Sequence, residues 1–165
     1  MTTVGNYTRL SLSELEPLIA NPYKLDDFLC ENANSERSLY INIFWHLIHL
    51  LLTGDAWNGD EVLRNLVLGG EELSENEVGF GESVRYLLPN QVKATYEAVK
   101  NVTSNQLWSR FDRKVVTDAY IYPIGYWSES SEESVKECVL DYFEKLKEFF
   151  KITVEHEQAM LIWFS

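Results

Sequence analysis

Between Leu39 and Leu52 nearly every residue is apolar, and this run constrains the fold more than any other feature of the 165-residue chain. The exceptions Asn42, His46 and His49, with the following Thr53, are spaced four, three and four apart, which places them in one narrow stripe of a helix otherwise buried all round. A helix of that kind must be surrounded by other elements, so it is predicted to be the central one. Gly54 supplies the left-handed residue that ends it. The run falls far short of the ~20 residues of a membrane span, and no membrane segment is predicted.

A second constraint lies at the far end. Ala159-Met160-Leu161-Ile162-Trp163-Phe164 is a continuous apolar run of strand length with no helical relief, which predicts a buried central strand. Thr3 to Leu10, β-branched and aromatic, predicts an N-terminal strand closed by the capping box Ser11 and Glu14 of a short helix. Asn21-Pro22 breaks that helix, and a second follows through Leu25, Phe28 and Leu29. The polar stretch Glu31 to Ser38 reads as loop. A helix is predicted over Asp60 to Leu68, stopped by Gly69-Gly70, and a long loop over Glu71 to Ser83, which contains Gly79-Phe80-Gly81.

Arg85 to Leu88 reads as a short strand, and Pro89 fits the first position of a helix through Val92, Tyr96 and Val99. Short helices are predicted over Gln106 to Phe111 and Arg113 to Ala119, with an aromatic turn over Tyr120 to Trp127. The longest helix opens with Ser130 and its partner Glu133, carries the core stripe Val135, Val139, Tyr142, Leu146 and Phe149, and runs to about Lys151. The expected fold is one α+β domain over residues 1–165, predominantly helical, packed around a small sheet that includes the N-terminal and C-terminal strands.

Charge restricts the partners. Against 14 Lys and Arg stand 26 Asp and Glu, a formal net charge of -12. Such a surface repels phosphate backbones and anionic lipid, which argues against nucleic acid and membranes and leaves basic proteins, metal cations and small molecules. Cys30 and Cys138 form no ligand cluster, and no export leader is visible, so a cytoplasmic protein with free thiols is expected. The charge is also segregated: from Asp55 to Glu82 eight acids face Arg64 alone, and from Glu129 to Glu157 nine acids face four lysines, while Arg85 to Lys114 holds six bases against Glu97 and Asp112. That division predicts a basic face between acidic ones.

Ordered motifs carry a family resemblance. Trp45-His46-Leu47-Ile48-His49-Leu50-Leu51-Leu52-Thr53-Gly54 is followed by Val67-Leu68-Gly69-Gly70, Gly79-Phe80-Gly81, Arg85-Tyr86-Leu87-Leu88-Pro89, Arg110-Phe111-Asp112 and Ile121-Tyr122-Pro123. In this order they resemble the YfbM-like bacterial family, a domain of unknown function, over nearly the whole chain. Leu88 stands where that family often has a Thr able to cap the next helix, and His46 lies outside its pattern. The resemblance implies an α+β fold with several helices around a small sheet, and no activity.

Candidate sites follow from chemistry. His46 and His49 lie three apart, a spacing that can present two imidazoles to a metal, but no further ligand cluster accompanies them and no metal or other cofactor is expected. The chain has no Gly-x-Ser-x-Gly elbow and no phosphate loop, so nucleophilic catalysis and dinucleotide binding lack their usual signatures. The preferred reading is a non-catalytic acidic module, an immunity-type inhibitor of a basic toxin or nucleic-acid-acting protein, binding through Asp55, Trp57, Asp60, Glu61, Glu71, Glu72, Glu75 and Glu77. The alternative is a small-ligand or hydrolytic domain whose pocket gathers His49, Arg85, Asp112 and Tyr122, all at positions matching the family motifs. Nothing in the sequence specifies an oligomeric state.

Overall fold

The computed structural model describes residues 2–73 and 84–165. In chain order the elements are β1 (Gly5–Leu10), α1 (Leu12–Ala20), α2 (Leu25–Asn32), β2 (Ser38–Tyr40), α3 (Trp45–Thr53), α4 (Glu61–Arg64), β3 (Glu71–Glu72) and β4 (Arg85–Leu87). They continue through α5 (Pro89–Val99), α6 (Ser104–Trp108), α7 (Arg113–Asp118), α8 (Tyr126–Glu129), α9 (Glu132–Glu155) and β5 (Ala159–Phe164). The strands form one antiparallel sheet in the order β2-β1-β5-β4-β3. The terminal strands are therefore direct neighbours, with Gly5 opposite Phe164 and Leu10 opposite Ala159.

β5 is the middle strand, and helices pack against both faces of the sheet there, which is why its sequence shows no alternation. Met160, Ile162 and Phe164 point into a large core shared with α3, α5, α6 and α9, while Ala159, Leu161 and Trp163 point into a smaller core with α1 and α2. Tyr7 of β1 is fully buried in the larger core and donates its hydroxyl hydrogen to Leu66 O at 2.7 Å, so its ring can be apolar in contact yet satisfied.

The caps follow side-chain chemistry. Ser11 and Glu14 close the expected box at α1, and Thr103 and Gln106 close another at α6. At α5 Leu88 offers no side-chain acceptor, yet Gln91 still accepts from the Leu88 N–H at 2.8 Å, so half of the box survives. Gly54 takes the left-handed conformation (φ 77°) that ends α3.

Several boundaries differ from the sequence-based expectation. The Leu39–Leu52 run is not one helix: Ser38–Tyr40 pairs with β1, Asn42 turns the chain at φ 53° into a 3-10 turn over Asn42–Phe44, and α3 begins at Trp45. The expected loop Glu31 to Ser38 is shorter, because α2 runs on to Asn32 and β2 starts at Ser38. The helix expected over Asp60 to Leu68 stops at Arg64, after which Leu66 and Val67 donate to carbonyls only three residues back. The helix expected over Gln106 to Phe111 is Ser104–Trp108, shifted toward its Thr103 cap, and the last two residues of the aromatic turn, Tyr126 and Trp127, begin α8. In α9 the N-cap is Ser131 rather than Ser130, the helix continues to Glu155, and Phe143 takes the interior position expected for Tyr142. Tyr142 is partly buried against the same core and stacks on Phe44 at 5.5 Å. Gly79-Phe80-Gly81 lies outside the described residues.

Among the described residues no helix is long and apolar enough to cross a membrane.

Candidate functional site

His46 joins three segments that the sequence keeps far apart. Its ring is fully buried; Nε2 donates to Ala56 O at 2.7 Å, and Nδ1 accepts the Tyr122 N–H at 2.9 Å. Those two partners define a neutral imidazole with the proton on Nε2. Burial holds its pKa below the ordinary histidine value, against the opposing pull of the Ala56 carbonyl. The ring is stacked on Trp45 (centroids 4.9 Å, planes 8° apart) and covered by Trp57 at 4.2 Å. Trp45 in turn stacks on Tyr122 at 5.5 Å and donates its indole N–H to Thr3 O, while the Thr3 N–H donates to the Tyr122 hydroxyl.

The turn that carries Trp57 is fixed by local bonds. The Asp55 carboxylate accepts the N–H groups of Trp57 (2.9 Å) and Asn58 (2.8 Å), which lower its pKa. The Thr53 hydroxyl donates to His49 O at 2.9 Å and accepts from the Asp55 N–H at 3.2 Å. Gly59 is held at φ 104° with its α-carbon so close to Thr53 that a Cβ would lie 2.7 Å from the threonine Cβ. Trp57 therefore stands on a rigid shelf, 56% exposed, with one side against His46. Asp60 caps α4 by accepting from the Leu63 N–H, and Glu61 is exposed in its first turn.

His49, one turn further along α3, is 1% exposed. Its Nε2 lies 3.4 Å from the Thr53 hydroxyl, and Nδ1 is buried without a hydrogen bond of normal geometry among the described residues. Burial, reinforced by nearby His46, pushes its pKa down to about 4, with the Asn58 backbone and Asp55 opposing.

The other residues expected to form a pocket have separate partners. The Arg85 guanidinium donates to Gly69 O (3.2 Å) and Val67 O (3.1 Å) and lies over the Phe164 ring. Asp112 caps α7, accepting from the N–H groups of Lys114 and Val115. Asp112 also lines a cavity of about 300 Å³ at the C-terminal end of α3, where Arg110 Nη1 donates to Leu51 O and Leu52 O; His49, Arg85 and Tyr122 do not line it. Tyr122 belongs with Trp45 and His46. Of the acidic residues, Glu71 accepts the Tyr86 hydroxyl at 2.8 Å, Glu72 is exposed opposite Arg85, and Glu75 and Glu77 lie outside the described residues.

The expected basic face is partly folded inward. Arg85, Arg110 and Arg113 spend their guanidinium groups on backbone carbonyls, Arg113 on those of Trp127 and Ser130, and Lys100 and Lys114 pair with Glu97 and Asp118. Sequence reasoning missed these arginine contacts and the bridging role of His46, since no local pattern marks a carbonyl acceptor; the one visible signal was a histidine inside an apolar run. Among the described residues no group of three His, Cys, Asp or Glu is arranged to hold a metal ion.

None of the curated proteins matches this chain. Among solved structures it is similar to YfbM from Escherichia coli, a protein of unknown function, with 20% sequence identity, a TM-score of 0.76, and coverage of 98% of this chain and 99% of that one. At that identity the likeness establishes the fold. The model of the domain of unknown function DUF1877 matches residues 1–163, and the chain belongs to that family.

Proposed function

We propose that the chain is a non-catalytic, acidic protein-binding module that blocks a basic protein, in the manner of an immunity protein covering a toxin. The observation that carries this reading is Trp57, a large aromatic left 56% exposed on a turn that its own backbone bonds and His46 hold rigid, with Asp55, Asp60 and Glu61 beside it in sequence. An indole held this way loses little conformational entropy on binding, and such an anchor contributes ~2 kcal/mol or more at an interface centre. The carboxylates supply a charged rim that steers a cationic surface toward it.

The rival reading, a small-ligand or hydrolytic pocket of His49, Arg85, Asp112 and Tyr122, finds less support. Arg85 and Asp112 are bonded to backbone groups of their own neighbourhoods, and Tyr122 is tied to Thr3 and His46. The protein as bait, compared with a Trp57→Ala variant, tests the proposal in extracts of the source cell. A basic protein retained by the wild type, released by salt and lost with Trp57→Ala supports it; retention that is indifferent to both overturns it. An immunity role also requires the gene of the target to lie beside this one.

A further inference from the structure

Beyond Trp57, the largest concentration of exposed apolar side chains among the described residues is the loop from Tyr120 to Tyr126. Tyr120 and Ile124 are each 70% exposed and Tyr126 is 43% exposed. The loop is not loose. Ile121 and Trp127 are buried, the Trp127 indole N–H is shared between Ile121 O and Tyr122 O, and the Arg113 guanidinium donates to Trp127 O and Ser130 O. Three large side chains are thus held out in water by a segment whose intervening residues are fixed.

Tyr120 adds a sharper sign. It ends α7 at φ 51°, with the Tyr120 N–H on Thr117 O and the Ile121 N–H on Val116 O, the pair of bonds that closes a helix through a left-handed residue. That position favours glycine, because a Cβ crowds the following carbonyl. Tyr120 is 70% exposed there, so burial of its ring offsets little of the strain, and strained residues of this kind cluster at functional sites such as ligand clamps. Position relates the loop to the first anchor. The two nitrogens of the His46 ring hold Ala56, next to Trp57, on one side and Tyr122 on the other, so both segments rest on one buried imidazole.

We infer that the loop Tyr120–Tyr126 is the second half of the docking surface begun by Trp57, and that it seats in an apolar pocket of the same basic protein. This rests on the binding-module reading above. The occupant follows from charge: Asp55, Asp60 and Glu61 flank Trp57 in sequence and Glu129 follows the loop, whereas Arg113 is bonded to the Trp127 and Ser130 carbonyls and Lys114 and Asp118 compensate each other. A second copy docked through a two-fold contact would set these carboxylates against their own kind. A partner with an apolar centre and a cationic rim meets both features.

The test places the photo-cross-linker p-benzoylphenylalanine at position 124 or at exposed position 58, beside the intact Trp57 anchor, of the full chain in the source cell, alongside a Tyr120→Gly variant. The expected result is the same basic protein joined to both positions. Tyr120→Gly, which removes the ring and suits the left-handed backbone, is expected to keep or raise the melting temperature while lowering the yield of both adducts severalfold. An adduct at position 58 but not at 124 overturns the loop's role and leaves the binding-module reading standing. No adduct at either position removes both. A cross-link to another copy of this chain, or a Tyr120→Gly variant that loses stability and keeps its adducts, also overturns the inference.

Discussion

Acidification should destabilise this protein through His49. The ordinary pKa of 6.5 is lowered to about 4 in the folded state, so between those values the unfolded chain carries a proton that the folded one refuses. The contribution is complete above pH 6.5, declines as pH falls through the window, and is exhausted near the folded value. At 1.36 kcal/mol per pH unit the loss by about pH 5 is roughly 2 kcal/mol. With a urea dependence of about 2 kcal/mol per M, the unfolding midpoint should move by about 1 M between about pH 7.5 and pH 5. His49→Leu removes the titrating ring while keeping an apolar side chain in the site. Its midpoint should change less over the same range, the remainder coming from His46 and from carboxylates such as Asp55 and Glu14, whose folded pKa values are also lowered. Equal shifts in the wild type and in His49→Leu would refute the claim that a buried neutral His49 links folding to pH.

Other substitutions test the internal struts. His46→Leu leaves the Tyr122 N–H without its acceptor and frees Ala56 O; urea unfolding should show a loss of about 2–4 kcal/mol. Arg85→Met deletes two charge-assisted bonds to Val67 O and Gly69 O while keeping a long stem, and a loss of about 2–3 kcal/mol is expected in the same assay. Gly69→Ala would set a Cβ 1.9 Å from Asn65 Oδ1 and 2.5 Å from Asn65 Cα, so the backbone must shift; a midpoint lowered by more than about 2 kcal/mol is the expected result.

Parts of this fold were legible because local chemistry determines them. The Ser11–Glu14 box, the Gly54 terminus, Pro89 at the start of α5 and the central strand Ala159–Phe164 each depend on residues close in sequence or on burial of both faces. The Leu39–Leu52 run was misread because an unbroken apolar stretch carries no period that separates strand from helix; the division at Asn42 comes from pairing with β1, over thirty residues away. The site was less legible still. His46 meets partners 10 and 76 residues distant, so its bridging role leaves no local pattern, and its stripe neighbour His49 has a different environment. The arginines between Arg85 and Arg113 read as a basic segment because sequence records charge and not the carbonyls that absorb it.

Association kinetics with the captured partner bear most directly on the binding-module proposal. On-rates are to be measured from about 20 mM to about 500 mM salt for the wild type and for a variant combining Glu61→Gln, Glu72→Gln, Glu75→Gln and Glu77→Gln. Charge steering is screened over a Debye length of about 8 Å at physiological ionic strength, so the wild-type rate should fall at least about tenfold across that range. The variant should start slower at low salt and converge with the wild type at high salt. Identical, salt-independent rates for the two proteins would mean that the acidic segment is only a solvated surface and plays no part in recognition.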